Sequence, residues 1–383
     1  MTSSSSAEHP LAYEFRFFAA LTSSECPLYA ELSTRAAESA FLLDLAAHRT
    51  PGQPSVNLLF AAVHNELLAG AAHPLRRFYR SLGGEEPPGS VFPHFLDFCR
   101  EREERLSELI ATRRVQTNEV GRSALLLPAF ARASRLLGER PLHLIELGAS
   151  AGLHLNLDLY RFEYELAPPA GEPTVHFCGD PDVPIKNPAA ASATGELSVH
   201  LCGDPDSPVS LRAEVRNVLG RDSDWVPPRV PPIADRTGVD LVVIRLDDAD
   251  ALRWSEALIW PDQVERLDRF RAAVEVARSR PPRMIEGDGR AIVPEVAERT
   301  PPTMVPCIFH SHAIYQWKSL VREEFARSIK ALGRTRDLVC VSLEWLGNDS
   351  GPKLHLTTFD AGEERSELLA DCHQHGRWLE WRP

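Results

Sequence analysis

The residues with the greatest capacity for chemistry lie in "PLHLIELGASAGLHLNLDLY", Pro141 to Tyr160. Glu146 stands at the end of an apolar run, Gly148 and Gly152 follow four residues apart, and Ala149 and Ser150 lie between them. An acid at a strand end, beside glycines that let the chain turn and let a ligand approach the backbone, suits a ligand offering an amine or hydroxyls. Phosphate is disfavoured. No lysine follows Gly152 as a phosphate-binding G-x-x-x-x-G-K-[ST] loop requires, and Ser150 stands where the dinucleotide fingerprint G-x-G-x-x-G would place a glycine. A strand-to-helix turn without a ligand accounts for the same letters.

Three further groups carry polar chemistry. In "PCIFHSHAIYQW", His310 and Ser311 end an apolar run, and His312, Tyr315 and Trp317 follow. His310 is a candidate general base with Tyr315 near it; a histidine satisfied by a backbone carbonyl is the alternative. "RRVQTNEVGRSALLLP" concentrates Gln116, Asn118, Glu119 and Arg122, and Arg122 suits a ligand carboxylate, although helix capping by Thr117 or Asn118 explains the same residues. The duplicated H-x-C-G-D-P-D supplies His176, Cys178, His200 and Cys202. Residues two apart on a strand share a face, so paired copies would assemble a tetrahedral zinc site; two similar Gly-Asp-Pro turns give these letters without a metal, and no metal is assigned. His64 and Glu66 sit on an otherwise apolar helix and read as core residues with a local partner.

The elements that must hold these residues divide the chain of 383 residues in two. From about Leu11 to Leu137 apolar residues recur every three or four positions, which predicts an all-helical domain over 1–140. Beyond Pro141, short apolar runs ("HLIEL", "RMIEG", "MVPCIFH", "LVCVSLEWL") alternate with helical stretches, which predicts an α/β domain over 141–383 with a parallel sheet covered on both faces. "KLHLTTFD" and "GRWLEW" read as an antiparallel pair closing the sheet edge. Arg161 to Pro232, rich in Pro and Gly, reads as an irregular insertion.

Bulk properties exclude some classes. A formal net charge of -12 argues against affinity for a phosphate backbone. The opening "MTSSSSAEHP" lacks the basic and apolar regions of a signal peptide, and no run of about 18 apolar residues occurs, so a cytoplasmic protein that neither binds nor crosses a membrane is expected. Seven scattered cysteines without a C-x-x-C pair read as reduced thiols.

The pattern E-x-G-x-x-x-G resembles the first motif of class I S-adenosylmethionine-dependent methyltransferases, with Ser150 as a departure from the usual central glycine. "TGVDLVVI" resembles their second strand, whose terminal acid holds ribose hydroxyls, here Asp240 with Asp247 and Asp248 as rivals; "RMIEGDG" resembles the third, with Asp288 toward the adenine amine. Over nearly its whole length, through "LYAEL", "VQTNEVGR", "SEALIWPDQVERLDRFRAAVE", "FHSHA" and "HGRWLEW", the chain also resembles the bacterial family known as domain of unknown function 2332. Together the resemblances imply a Rossmann-like methyltransferase sheet behind a helical substrate lid. S-adenosylmethionine would be held by Asn118, Arg122, Glu146, Gly148, Ala149, Ser150, Gly152, Asp240 and Asp288, with His310 and Tyr315 acting on a small-molecule acceptor. A non-catalytic ligand-binding or regulatory protein, and an enzyme using the same cofactor for another transfer or a cyclisation, are the alternatives. On this reading Gly148→Val fills the ligand's space and leaves the fold standing.

Overall fold

The structure is a computed structural model and describes residues 9–166, 198–216, 229–346 and 351–382. Its helices are α1 (Ala12–Thr22), α2 (Pro27–Ala36), α3 (Ala40–Ala46), α4 (Ser55–Leu68), α5 (Val91–Glu101), α6 (Glu103–Thr112), α7 (Ser123–Leu136), α8 (Ala249–Ala257), α9 (Val264–Ser279), α10 (Gly289–Glu298) and α11 (Ser319–Gly333). Its strands are β1 (Leu142–Leu147), β2 (Arg161–Leu166), β3 (Ser198–Gly203), β4 (Ser210–Arg216), β5 (Ile233–Asp240), β6 (Arg283–Glu286), β7 (Val305–Ser311), β8 (Leu338–Glu344), β9 (Lys353–Asp360), β10 (Glu363–Cys372) and β11 (Trp378–Trp381). Among the described residues no helix is long and apolar enough to cross a membrane.

The chain forms two compact units, Met1–Thr117 with Arg245–Phe270, and Asn118–Ile244 with Arg271–Pro383. This differs from a division at residue 140. The difference has a packing cause: α7 lies against β4, β8 and β9, whereas α8 packs on α4. Within the first unit α4 is buried on nearly every side, as its all-round apolar sequence requires. Phe60 at its centre meets Tyr29 at 4.5 Å, Phe95 at 5.7 Å and Phe15 at 6.2 Å between ring centroids.

The second unit is a mixed α/β structure on one 11-stranded sheet, ordered β3-β2-β4-β11-β10-β9-β8-β7-β1-β5-β6. The run β8-β7-β1-β5-β6 is parallel throughout. Successive strand residues point to opposite faces, and this fixes the two layers. Ile145, Leu147 and Ile308 join Val293 of α10 and Phe325 of α11 in one core cluster. Phe309 points the other way and meets Phe130 of α7 at 5.1 Å.

Three expectations are corrected. The segment 161–232 is not wholly irregular: β2 and β4 pair in parallel, and β3 pairs antiparallel with β2. "KLHLTTFD" and "GRWLEW" are not direct partners, because β10 lies between β9 and β11 and is antiparallel to both. Gly152 does not open an α-helix but a 3-10 segment, Leu153–Leu159. The reason is legible in "LHLNLDL": leucines alternate with polar residues at period two, and Leu153 through Leu157 are all buried, so no single helical stripe exists. Tertiary bonds fix the segment instead. Tyr160 Oη donates to the Leu153 carbonyl at 2.6 Å, Arg236 Nε donates to the Leu155 carbonyl at 2.9 Å, and the Arg236 guanidinium pairs with Asp158.

Arg236 and Asp158 are 8% and 17% exposed as side chains. Removing Arg236 leaves Asp158 with only the longer, exposed pair to Arg280 at 3.5 Å, at a cost of about 2 kcal/mol. Arg236→Met is therefore expected to lower the unfolding free energy by about that amount, read as a lower urea midpoint at unchanged m-value. A loss of less than about 0.5 kcal/mol, the range of ordinary surface changes, would show that the pair does not fasten this segment.

Candidate functional site

The site is built where β1 ends between β5 and β7. In the parallel register Glu146 lies beside Gly238 and Phe309, and Leu147 beside Val239 and His310. The chain then turns through three residues with positive φ, Gly148 (77°), Ser150 (55°) and Gly152 (73°). For Ser150 this conformation is uncommon, and it is fixed from both sides: its amide donates to Asp240 Oδ2 at 2.8 Å, and its carbonyl accepts from the Ile244 amide at 3.1 Å. Asp240, the last residue of β5, also accepts from the Val242 amide at 3.0 Å. That bond turns the chain out of the sheet, so "LVVI" is not strand, and Leu241 and Val242 are exposed.

Glu146 is 2% exposed, and its Oε2 has no hydrogen-bond partner among the described residues. Burial, reinforced by the Asp240 charge and opposed by Arg122, pushes its pKa well above the usual carboxylate range. Asn118 donates from Nδ2 to the Ala149 carbonyl at 3.1 Å, and its Oδ1 is buried without a partner, as is Ser150 Oγ. Arg122 is 7% exposed and donates from Nε to the Gln374 carbonyl at 2.9 Å. Burial and the Arg122 charge hold His154 down to about 3; this neutral ring shares a 2.8 Å hydrogen bond with Ser123 Oγ.

The loop after β7 carries the second half. Ser311 Oγ and His312 Nε2 are buried without partners, and His312 has a φ of 51°. Its pKa falls to about 3 through burial and the Arg122 charge. Tyr315 is half exposed, and Trp317 packs edge-on against Phe325 at 5.5 Å. Orphaned buried polar atoms are rare in native proteins. Five of them, from Asn118, Glu146, Ser150, Ser311 and His312, belong to the ends of β1 and β7 and the segment bonded to them, which marks this as the place where a polar ligand would complete the hydrogen bonding.

His310 faces away from the orphaned groups. It shares a face with Leu147 and not with Glu146, it is 3% exposed, and its Nδ1 donates to Glu344 Oε1 at 2.8 Å. Burial alone would lower its pKa, but hydrogen bonds with Cys340 and Glu344 prevail and carry it up to about 9. Glu344 goes the other way. Burial would raise it, but His310 and the amides of Ala313 and Ile314 hold it below the ordinary carboxylate range. Its Oε2 accepts a further amide, that of Tyr315, at 3.2 Å. The sequence pattern overlooked Glu344, although it ends "LVCVSLE" as Glu146 ends "LHLIE".

The glycines do not open onto free space. A Cβ at Gly148 would lie 2.6 Å from Ala313 Cβ, and one at Gly152 would lie 2.8 Å from Met284 Sδ and 2.9 Å from Pro282 Cγ. Gly148→Val therefore strikes the loop after β7 and a strained φ, which corrects the expectation that it would fill a ligand's space and spare the fold. Asp288 caps α10 through the Arg290 amide and pairs with the Arg290 side chain, Asp248 caps α8, and exposed Asp247 pairs with Arg245. None of these three is among the orphaned groups.

Other polar clusters are satisfied by the protein. His73, Asp97 and Glu101 bring ligand-type atoms within 4.8 Å of one another, but His73 Nδ1 accepts from the Leu75 amide at 3.1 Å, which puts the ring proton on Nε2, facing Asp97. His200 and Cys202 share a face of β3, whereas His176 and Cys178 lie outside the described residues. A cavity of about 260 Å³ lies at the opposite, amino-terminal ends of β1, β5 and β6, beside His143, Asp235 and Arg283. Both ring nitrogens of His143 are bonded there, to Thr300 and Thr237.

These features define an α/β protein with a half-satisfied polar cluster at the point where its parallel strand order reverses. The chain belongs to the family described as "Uncharacterized protein conserved in bacteria (DUF2332)", which matches residues 12–381. No curated protein and no solved structure matches it.

The His310–Glu344 pair has a defined pH window. The folded pKa of His310 exceeds its ordinary 6.5, so its contribution is complete below 6.5 and is lost as pH rises through about 9. That of Glu344 lies below its ordinary 4.5, so its contribution is present above 4.5 and is lost as pH falls through the lowered value. The thermal midpoint is expected to decline from pH 6.5 through about 9 more steeply in the wild type than in His310→Gln. Parallel declines in scanning calorimetry would show that this pair does not titrate with unfolding.

Proposed function

We propose that the chain is an enzyme that uses S-adenosylmethionine to methylate a small molecule, on a Rossmann-like methyltransferase sheet. The observation that carries this reading is the buried, partnerless carboxyl of Glu146 at the carboxyl end of β1, between β5 and β7. In open parallel sheets ligands bind beyond the strand ends at such a reversal of order.

The residues fit the cofactor in part. Asp240 ends β5 beside the β1 turn and accepts the amides of Ser150 and Val242, which places a carboxylate where the resembling family holds ribose hydroxyls. The Glu146 carboxyl and the free oxygens of Asn118 and Ser150 suit the polar atoms of an amino-acid portion. When bound, the cofactor supplies a methyl group activated on a sulfonium. The chain's own task is placement and exclusion of water, with the neutral His312 ring, and not His310, standing as the uncommitted proton acceptor.

The contacts of Ala313 with Gly148 and of Met284 with Gly152 favour a second reading, a ligand-binding or regulatory protein without turnover. Titration calorimetry with S-adenosylmethionine and S-adenosylhomocysteine tests both. Saturable binding is expected, weakened at least about tenfold, or 1.4 kcal/mol, in Asp240→Ala and little altered in Glu146→Gln, which keeps a side chain of the same shape. Release of S-adenosylhomocysteine with small-molecule acceptors supports the enzyme; binding without release leaves the second reading. No binding of either ligand overturns both as far as this cofactor is concerned.

A further inference from the structure

His64 takes no part in the site at β1, and its surroundings within the first unit are those of an activated base. It lies on α4 and is fully buried. Its Nδ1 is 3.1 Å from the Ala257 carbonyl, at the end of α8, and its Nε2 is 2.8 Å from Ser81 Oγ. A carbonyl can only accept a hydrogen bond, so in the neutral ring Nδ1 carries the proton. Nε2 then presents a lone pair, and the Ser81 hydroxyl donates to it. A nucleophile bonded to a base, with the base oriented by a third group, is the recurring arrangement of nucleophilic catalysis.

Ser81 belongs to a 3-10 turn, Arg80–Leu82, closed by Gly83 at a φ of 76°. It is half-buried, and the chain from Gly83 through Ser90 is largely exposed, which leaves a reagent a route to the hydroxyl. Leu75, Phe78 and Tyr79, the apolar residues that precede it in the chain, are buried. The amides of Ser81, Leu82, Gly83 and Gly84 already donate to the carbonyls of Pro261, Tyr79, Arg80 and Tyr79. With these four amides engaged, little is left to steady an oxyanion, so acylation and deacylation are both slow.

We propose that Ser81 and His64 form a second, nucleophilic site that accepts a short apolar acyl group from a small uncharged ester. Ser81 Oγ bonds to the acyl carbon, its proton passes to His64 Nε2, the bond from that carbon to the ester oxygen breaks, and His64 returns the proton to the departing alcohol. Hydrolysis of the acyl-serine by water, with His64 again as base, restores the site.

The full chain is incubated with 4-nitrophenyl acetate, and separately with a fluorophosphonate, and adducts are located by intact-mass and peptide mass spectrometry. One adduct on Ser81 is expected, with a burst of about one equivalent of nitrophenol, and the rate falls at least about a hundredfold in His64→Gln. No adduct on Ser81, or equal rates in the two proteins, overturns the proposal. Should His64→Gln fail to fold by circular dichroism, Ser81→Cys is read instead. A thiol paired with His64 reacts with iodoacetamide at pH 6, whereas the pH profile of an ordinary thiol with pKa near about 8.5 overturns the assignment.

Discussion

The carboxylate of Glu344 is the fixed point from which the rest of the second unit's strand-end architecture follows. It ends β8, and it collects the Nδ1 proton of His310 and three consecutive backbone amides, those of Ala313, Ile314 and Tyr315. A buried charge that receives several hydrogen bonds is stabilised in its ionised form. The loop after β7 is therefore held against β8, and Ala313 is set over Gly148. The turn after β1 owes its shape to that neighbour as much as to its own glycines. Asp240 does the same from the other flank by fastening the Ser150 amide.

The two acids near the β1 turn divide their roles by environment. Asp240 accepts backbone amides on both oxygens. Glu146 has an unbonded Oε2, and burial and the Asp240 charge push its pKa up. The neutral rings of His154 and His312 complete a buried polar surface on which Arg122 is the cation felt by all three groups.

Much of this architecture was legible in the sequence, and the gaps have physical causes. The helical period of the first unit and the short apolar runs of β1, β7 and β8 each follow from burial patterns, which are local. The acid at the end of β1 and the positive-φ glycines were equally readable. The 3-10 course of Leu153–Leu159 was missed because a turn followed by leucines was read as helix although their spacing was two. The reach of β2, β3 and β4 into the same sheet was missed because strand pairing is non-local, and "RFEYEL" alternates as a half-buried strand does. His310 was read as a base because its partner lies 34 residues away, on another strand. Sequence proximity to a strand end located the loop correctly but not which face each histidine takes; the alternation of faces gives Ser311 to the side of Glu146 and His310 to the other.

That alternation also bears on how a ligand would meet the β1 turn. In a turn whose glycines stand bare, the backbone itself is the binding surface, and a ligand lies along it. Here the space beside Gly148 is taken by Ala313, and the spaces beside Gly152 and Gly238 are taken by Met284. The backbone is thus shielded on its glycine sides, while the partnerless atoms are side-chain oxygens of Asn118, Glu146, Ser150 and Ser311 and one ring nitrogen of His312. Recognition at this turn must consequently run through side chains. Ser150 is then more than a glycine lost from a motif: its strained φ places a hydroxyl where glycine would offer only backbone, and the Asp240 bond to its amide offsets the cost of holding it there.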